Sequence, residues 1–259
     1  MVVRPKKHLG QHFLTDQSYA QRIVNALDFS TQCAILEIGP GTGVLSKYLL
    51  EKEITNRYYL SEIDSESVVY LQENYPQITA HLFEEDFLKM DLHRFESRGG
   101  LKIIGNFPYN ISSQILFRVY DEKDYVNEVV GMFQKEVAKR IAAPPGSKEY
   151  GILSVLLQAF YDIKFLFKVP PGAFFPPPKV DSGVIHLLRN PEKDIACSQR
   201  EFTAVVKMAF NQRRKTLRNA LRPIWESRGI DSFPFESKRA EQLHYTDFEQ
   251  LTILFSESE

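Results

Sequence analysis

Seven short apolar runs recur between residues 33 and 188, with segments of a different periodicity between them. They are CAILEI (33–38), RYYLSEI (57–63), ITAHLF (78–83), LKIIGN (101–106), VNEVVGMF (126–133), IKFLFKV (163–169) and GVIHLL (183–188). Short runs rich in β-branched and aromatic residues read as strands. Intervening stretches such as GVLSKYLLEKE and SQILFRVYDEK place apolar residues at helical spacing. The alternation predicts an α/β fold, a Rossmann-like and mostly parallel seven-stranded sheet with helices on both faces. Ligands of such sheets bind beyond the carboxyl ends of the strands, so the residues just after each run are the ones to inspect.

The pattern changes after HLLRNPEKD. Residues 199–255 hold only helical candidates, broken by RPIW, GIDSFPFES and HYTD. A boundary near Asn190–Asp194 would separate a domain of residues 1–190 from a small all-α domain of residues 191–259. Of two proline-rich stretches, AAPPGSKEYG (142–151) reads as an exposed loop, whereas VPPGAFFPPPKVDSG (169–183) is too aromatic for a plain linker. Two distant cysteines, Cys33 and Cys197, give no disulfide framework and no CxxC site, and the six histidines lack zinc-ligand spacing. No metal is expected. The basic N-terminus has no long apolar segment and no stretch of about 18 apolar residues occurs, so a cytoplasmic location is expected. With a net charge of −1, any surface for a polyanion must come from local clustering.

Three strand ends carry polar or glycine features. The first leads into LEIGPGTGVLS, where Gly39, Gly41 and Gly43 allow a tight turn and close approach of a ligand. The spacing is GxGxG rather than GxGxxG, and Glu37 precedes it. A carboxylate there would repel a pyrophosphate and suit a cation such as a sulfonium. A purely structural turn is the alternative. The second run ends in SEIDS, where Glu62 could accept both hydroxyls of a ribose and Asp64 could cap the next helix. On its own Glu62 could equally be an exposed strand-end acid. After the third run comes EEDFL, in which Asp86 could bond an exocyclic amine and Phe87 could wall an adenine ring.

The fourth run ends in GNFPYN. Taken alone, this is a turn sequence. In its context Asn106 and a backbone carbonyl fixed in direction by Pro108 could accept the N–H bonds of an adenine amine and aim its lone pair at an electrophile. Tyr109 could then supply a stacking face for an unstacked base.

Together EIGPGTG, EID, EEDFL and NFPYNIS resemble the class I S-adenosylmethionine-dependent methyltransferases. With KKHLGQHFL and FFPPPKVDSGVIHL, the chain resembles more narrowly the KsgA family of ribosomal RNA adenine dimethyltransferases, from about Lys6 to the C-terminal helices. The resemblance implies that residues 1–190 bind S-adenosylmethionine and that residues 191–259 bind RNA. Gln11, His12 and Leu14 would close over the cofactor, with Glu37, Gly39, Gly41, Glu62, Ile63, Asp86, Phe87 and Asn106 completing its site. Asn106 and Pro108 would orient the target amine. Tyr109 and Phe175 would flank the base, with Phe174 competing for the second place. The implied product is N6,N6-dimethyladenosine at two neighbouring adenosines near the 3′ end of small-subunit rRNA, made on the immature small subunit by a monomer without metal or membrane. The family often has Leu and Asn where Phe107 and His12 stand, and a phenyl ring at 107 could narrow the base pocket.

No acid occurs between Glu201 and Glu226, while Arg214, Lys215, Arg218 and Arg222 all do. Arginines at i, i+4 and i+8 would form one stripe on a helix and could track phosphates, although a solvated face has the same pattern. RPKKH is a second basic candidate, or simply a flexible end. Two other functions fit part of this evidence: an adenine methyltransferase of another nucleic acid, and a non-catalytic RNA-binding assembly factor.

Overall fold

The computed structural model describes residues 3–95 and 99–256. Its strands are β1 (Phe13–Leu14), β2 (Ala34–Ile38), β3 (Tyr58–Glu62), β4 (Leu82–Glu84), β5 (Leu101–Asn106), β6 (Val126–Gln134), β7 (Tyr161–Val169), β8 (Phe174–Phe175) and β9 (Ser182–Arg189). Seven of them form the expected sheet, in the order β4-β3-β2-β5-β6-β9-β7. The pairs β4–β3, β3–β2, β2–β5 and β5–β6 are parallel, and β9 runs antiparallel to β6. With β3 on one side of β2 and β5 on the other, the chain direction of travel reverses at β2. A crevice opens beyond the strand ends at such a point. β1 and β8 make a separate antiparallel pair, Phe13 opposite Phe175 and Leu14 opposite Phe174.

The run ITAHLF is the one that departs most from its expected strand. Pro76–His81 forms a 3-10 turn and only Leu82–Glu84 joins the sheet. Pro76 stands at the start of that turn, where its fixed φ is already suitable and its missing N–H costs no bond.

Helix α1 (Gln17–Val24) buries Ala20, Ile23 and Val24 in the same core as Ile35, Ile104 and Val130 of the sheet. The Asp16 side chain caps it, accepting the Ser18 N–H at 2.9 Å. The short α2 (Ser46–Leu50) follows the glycine loop. Asp64 caps α3 (Ser65–Asn74), as its place in SEIDS suggested. Helix α4 (Ser112–Asp121) follows NFPYN and buries Ile115, Leu116 and Val119.

The chain divides into two packing units. One contains the residues up to Ala138 together with Ile163–Arg189; the other contains Lys139–Asp162 and the chain from Asn190 onward. This corrects the linear cut at 190: the chain crosses between units within α5 (Lys135–Ile141), returns near the start of β7, and crosses again after Arg189. The reason is the apolar segment ILSVLLQ, which forms α6 (Ile152–Gln158) and packs against α7 (Gln199–Asn211) and α10 (Tyr245–Ser256). Phe202, Val206, Phe248 and Leu251 are buried in this helical unit, which also contains α8 (Leu217–Ala220) and α9 (Arg222–Ser227). The AAPPGSKEYG loop exposes Pro144 and Lys148 but is anchored by a fully buried Tyr150. Among the described residues no helix is long and apolar enough to cross a membrane, and no group of His, Cys, Asp and Glu could hold a metal ion.

Candidate active site

One cleft at the carboxyl ends of β2, β3 and β5 gathers most of the residues singled out in the sequence. Counted to its open mouth it encloses about 960 Å³, and its lining runs from Leu9–Phe13 through Ile38, Gly39, Gly41, Ser61–Ile63 and Glu85–Leu88 to Asn106–Ile111.

The glycine loop makes the floor on one side. Gly39 has φ +64°, and a Cβ there would meet no atom within 4 Å, so the backbone itself faces open space. At Gly41 (φ +57°) a Cβ would lie 2.9 Å from the Phe13 ring, and its N–H donates to Glu62 Oε2 at 2.9 Å. The other oxygen of Glu62 accepts the N–H groups of Ile63 (2.9 Å) and Asp64 (3.0 Å). A carboxylate offers about four lone-pair directions, so roughly one remains, on Oε2. Burial raises the Glu62 pKa, and the Asp64, Gly41 and Ile63 amides only partly offset it. Beside it Ile63 is 53% exposed, a large apolar side chain left uncovered at the cleft rim.

The N-terminal segment is strapped over this floor. Lys6 pairs with Asp64, Gln11 Nε2 donates to Asp64 Oδ2 at 3.1 Å, and Gln11 Oε1 accepts the Lys6 N–H at 2.7 Å. His12 Nδ1 lies 2.8 Å from the Pro176 carbonyl. These bonds draw Gln11 and His12 to the cleft, which they line.

On the far side stands NFPY. The Asn106 Nδ2 donates to the His12 carbonyl at 2.8 Å, which leaves Oδ1 as the atom available to an incoming N–H donor. The Pro108 carbonyl accepts the Ile111 N–H (3.2 Å) and the Ser112 hydroxyl (3.1 Å). Its direction is fixed as expected, but both lone pairs are engaged, so a substrate N–H would have to share one. The Tyr109 hydroxyl is 2.5 Å from Ser182 Oγ, and its ring centroid lies 5.6 Å from that of His12. Burial raises the Tyr109 pKa, opposed by Ser182, so the phenol stays neutral at physiological pH.

Similarity to known proteins points the same way. Residues 2–256 match the family described as "Ribosomal RNA adenine dimethylase". The chain belongs to this family. It is 52% identical to "Ribosomal RNA small subunit methyltransferase A" of Cytophaga hutchinsonii over 257 residues, 98% of each chain. The protein of the same name from Parabacteroides distasonis is 50% identical, covering 98% of this chain and 94% of the relative. A solved dimethyladenosine transferase from Plasmodium falciparum superposes with a TM-score of 0.80 at 24% identity, over 95% of this chain and 98% of its own.

In this member of the family Gln11, His12, Gly39, Gly41, Glu62, Ile63, Asp86, Phe87, Asn106, Pro108 and Tyr109 all line the cleft. Phe175 does not, and Leu14 and Glu37 line a small recess that shares Phe13, Gly39, Gly41 and Asn106 with the cleft. Glu37 is buried beneath the glycine loop, accepting the Ser46 hydroxyl at 2.7 Å and that of Tyr58. Burial lifts its pKa to about 7 despite those two donors. Leu14 is in the core, as is Phe174, whereas Phe175 is 64% exposed. Leu9, Phe13, Ile38 and Ser61 line the cleft without having been singled out.

The basic stripe does not form. Helix α7 ends at Asn211, Arg214 and Lys215 lie in the following turn, and Arg218 and Arg222 fall on two different short helices. Arg218 pairs with Glu236 at 2.5 Å and Arg222 with Glu226 at 2.6 Å. Arg214 and Lys215 are exposed and make no ion pair among the described residues. An open recess in the helical unit is lined by Arg140, Gly146, Ser147, Lys148, Arg213 and Glu241. Arg140 and Lys148 were not singled out in the sequence because neither sits in a charge run.

Proposed function

We propose that this cleft holds S-adenosylmethionine beside a flipped-out adenine of small-subunit rRNA, and that the enzyme makes N6,N6-dimethyladenosine there at two adjacent adenosines near the 3′ end. The single observation that carries the reading is Asn106, which ends β5 in the same cleft as the glycine loop and Glu62, with its amide nitrogen bonded to His12. The donor groups fit the cofactor. Gly39 leaves backbone open, Glu62 Oε2 has capacity for a ribose hydroxyl, and Ile63 and Phe87 offer apolar faces to a planar ring. Asp86 Oδ1 bonds the Leu88 N–H at 3.0 Å and lies on the cleft wall, where an adenine amine could reach it.

When bound, S-adenosylmethionine supplies an electrophilic methyl group on a positively charged sulfur. The chain's own contribution is orientation. Asn106 Oδ1 accepts one N6–H, which favours a pyramidal nitrogen with its lone pair directed away from that bond. An amide oxygen is too weak a base to remove the proton beforehand, so positioning and charge placement do the work. Tyr109, its hydroxyl held by Ser182, presents a ring fixed for stacking, worth about 1–3 kcal/mol per base. Glu37 holds α2 and β3 through Ser46 and Tyr58 and lines the recess under the glycine loop, beside the cofactor. The exposed Phe175 would meet the RNA before the base enters.

Arg214 and Lys215, with the recess around Arg140 and Lys148, are the cations of the helical unit best placed to meet phosphate. Arg218 and Arg222 contribute less because they are already paired. The setting we assign is a monomer acting on immature small subunits in the cytoplasm. Methyl transfer from labelled cofactor to under-methylated small subunits, followed by nucleoside analysis, tests the reading. Dimethyladenosine is expected with the wild type and not with Asn106→Ala. Wild-type binding to subunits without methyl transfer would instead favour the non-catalytic assembly factor.

A further inference from the structure

We propose that Gly131, which does not line the cleft, sets the room available to the target amine by letting the ring of Phe107 recede. The inference rests on the assignment of Asn106–Tyr109 to the target adenine. Gly105 of β5 and Gly131 of β6 are register partners, and the next pair is Asn106 with Met132. The Phe107 N–H bonds to the Met132 carbonyl at 3.1 Å, which ties the residue back across the two glycines. Phe107 is only 1% exposed, and its ring meets Phe133 edge-on with centroids 5.0 Å apart.

The space it fills exists only because both partners lack a side chain. A Cβ on Gly105 would lie 2.7 Å from Phe107 Cε1, and one on Gly131 would lie 2.9 Å from Phe107 Cδ2 and closer still to Cε2. The two glycines are not equivalent. At 105 a methyl would also press on the Ile38 carbonyl at 2.6 Å, against backbone that cannot yield. At 131 the nearest atoms belong to the rings of Phe107 and Phe133. A methyl at 131 therefore acts on rings and leaves the sheet in place. Phe133 lies against one edge of the Phe107 ring and the cleft against another, so a methyl at 131 presses the ring toward the cleft.

The consequence falls unequally on the two transfers. The second acceptor already bears a methyl group that the first lacks, so a floor pushed toward the cleft opposes the second transfer more. Gly131 is thus a positioning residue for dimethylation, acting through Phe107.

The test is Gly131→Ala on under-methylated small subunits, with N6-methyl- and N6,N6-dimethyladenosine quantified at matched total turnover. The mono-to-dimethyl ratio should rise about tenfold or more, the low end of what one methyl group costs in a tight pocket. Affinity for S-adenosylhomocysteine, read by calorimetry, should be unchanged. Phe107→Leu combined with Gly131→Ala should restore the wild-type ratio. An unchanged ratio in folded Gly131→Ala, or a double variant that fails to restore it, overturns the proposal. Should Gly131→Ala not fold, the double variant decides alone: folded with a wild-type ratio supports the coupling, and any other result overturns it. A wild type that makes no dimethyladenosine would instead overturn the pocket assignment, and this inference with it.

Discussion

Charge is buried at both ends of the sheet, and the two ends treat it differently. Near the amino ends of β5 and β6, Lys102 (3% exposed) pairs with Glu128 (1% exposed) at 2.7 Å and with Asp28 at 2.9 Å, and His186 closes the cluster at 2.8 Å from Glu128. At the carboxyl end of β3, Glu62 is nearly as buried and has no cation among its partners. Its bonds come from three backbone amides. The carboxyl groups respond in opposite directions. Burial pushes Glu128 up, but His186 and Lys102 outweigh it and its pKa falls; for Glu62 burial wins and the pKa rises. Buried charge by itself therefore does not mark a site. What separates the ends is that one pairs its carboxylate with cations of its own, Glu128 Oε2 meeting Lys102 by charge without a hydrogen bond, while the other leaves acceptor capacity at Glu62 and Asn106 facing the cleft.

The sharpest way to break this comparison is at the self-matched end. Lys102→Met leaves Glu128 buried without its principal cation, and removing one partner of a buried pair costs about 3–5 kcal/mol. Urea unfolding should show that loss, while turnover per folded molecule stays at the wild-type level. A fall in turnover beyond the folded fraction would mean that the two ends are functionally linked. At the open end the expectation reverses. Asn106→Ala should lower single-turnover methyl transfer by about 10²–10³-fold, the range for deleting one oriented hydrogen-bonding group at a reacting centre. Its stability should hardly change, because Asn106 is half-buried and makes one side-chain bond.

The open end was also the more legible in sequence, for a physical reason. A ligand site at strand termini is written locally: each run ends, and Gly39, Glu62, Asp86 and Asn106 follow within a few residues. What local reading lacked was direction and distance. Glu37 and Leu14 lie in a small recess beside the cleft, next to Gly39, Gly41 and Asn106, whereas Phe175 stands at the surface. The arginine stripe failed because helical spacing does not guarantee a helix. The chain turns after Asn211, Thr216 bridges to Arg239, and the acids that pair with Arg218 and Arg213 come from Glu236 and Glu241. The excursion of Lys139–Asp162 into the helical unit was hidden because α6 has the periodicity of a helix covering a sheet, and only its partners show otherwise.

Glu37 extends the comparison, since at the carboxyl end of β2 it is buried like Glu62 and its bonds to Ser46 and Tyr58 likewise come from no cation. Its folded pKa of about 7 lies above the ordinary carboxyl value near 4.5. The folded state therefore binds more protons than the unfolded chain between those pH values, and stability falls as pH rises through that window. Glu37→Gln removes the titration and keeps the bonds to Ser46 and Tyr58 possible. Relative to wild type it should gain about 2–3 kcal/mol in denaturant stability on going from pH 4.5 to pH 7.5. No gain would mean that Tyr58 and Ser46 keep the carboxylate ionised throughout.

The same distinction between matched and open groups applies to the helical unit, with the smallest effects. Arg218 and Arg222 are matched by Glu236 and Glu226, whereas Arg214 and Lys215 are exposed without an ion pair among the described residues. A cation that contacts phosphate releases about one counterion, so removing it lowers the slope of log affinity against log salt by about 0.7–1. Arg214→Ala and Lys215→Ala should each reduce the slope for binding to under-methylated small subunits by that amount. Arg222→Ala should reduce it by less than half as much, because the lost charge was already offset by Glu226. Equal slopes for all three variants would show that the paired arginines exchange their acids for phosphate on binding. The distinction drawn at the sheet would then hold for its buried groups and fail at the surface, where water lets an ion pair open at little cost.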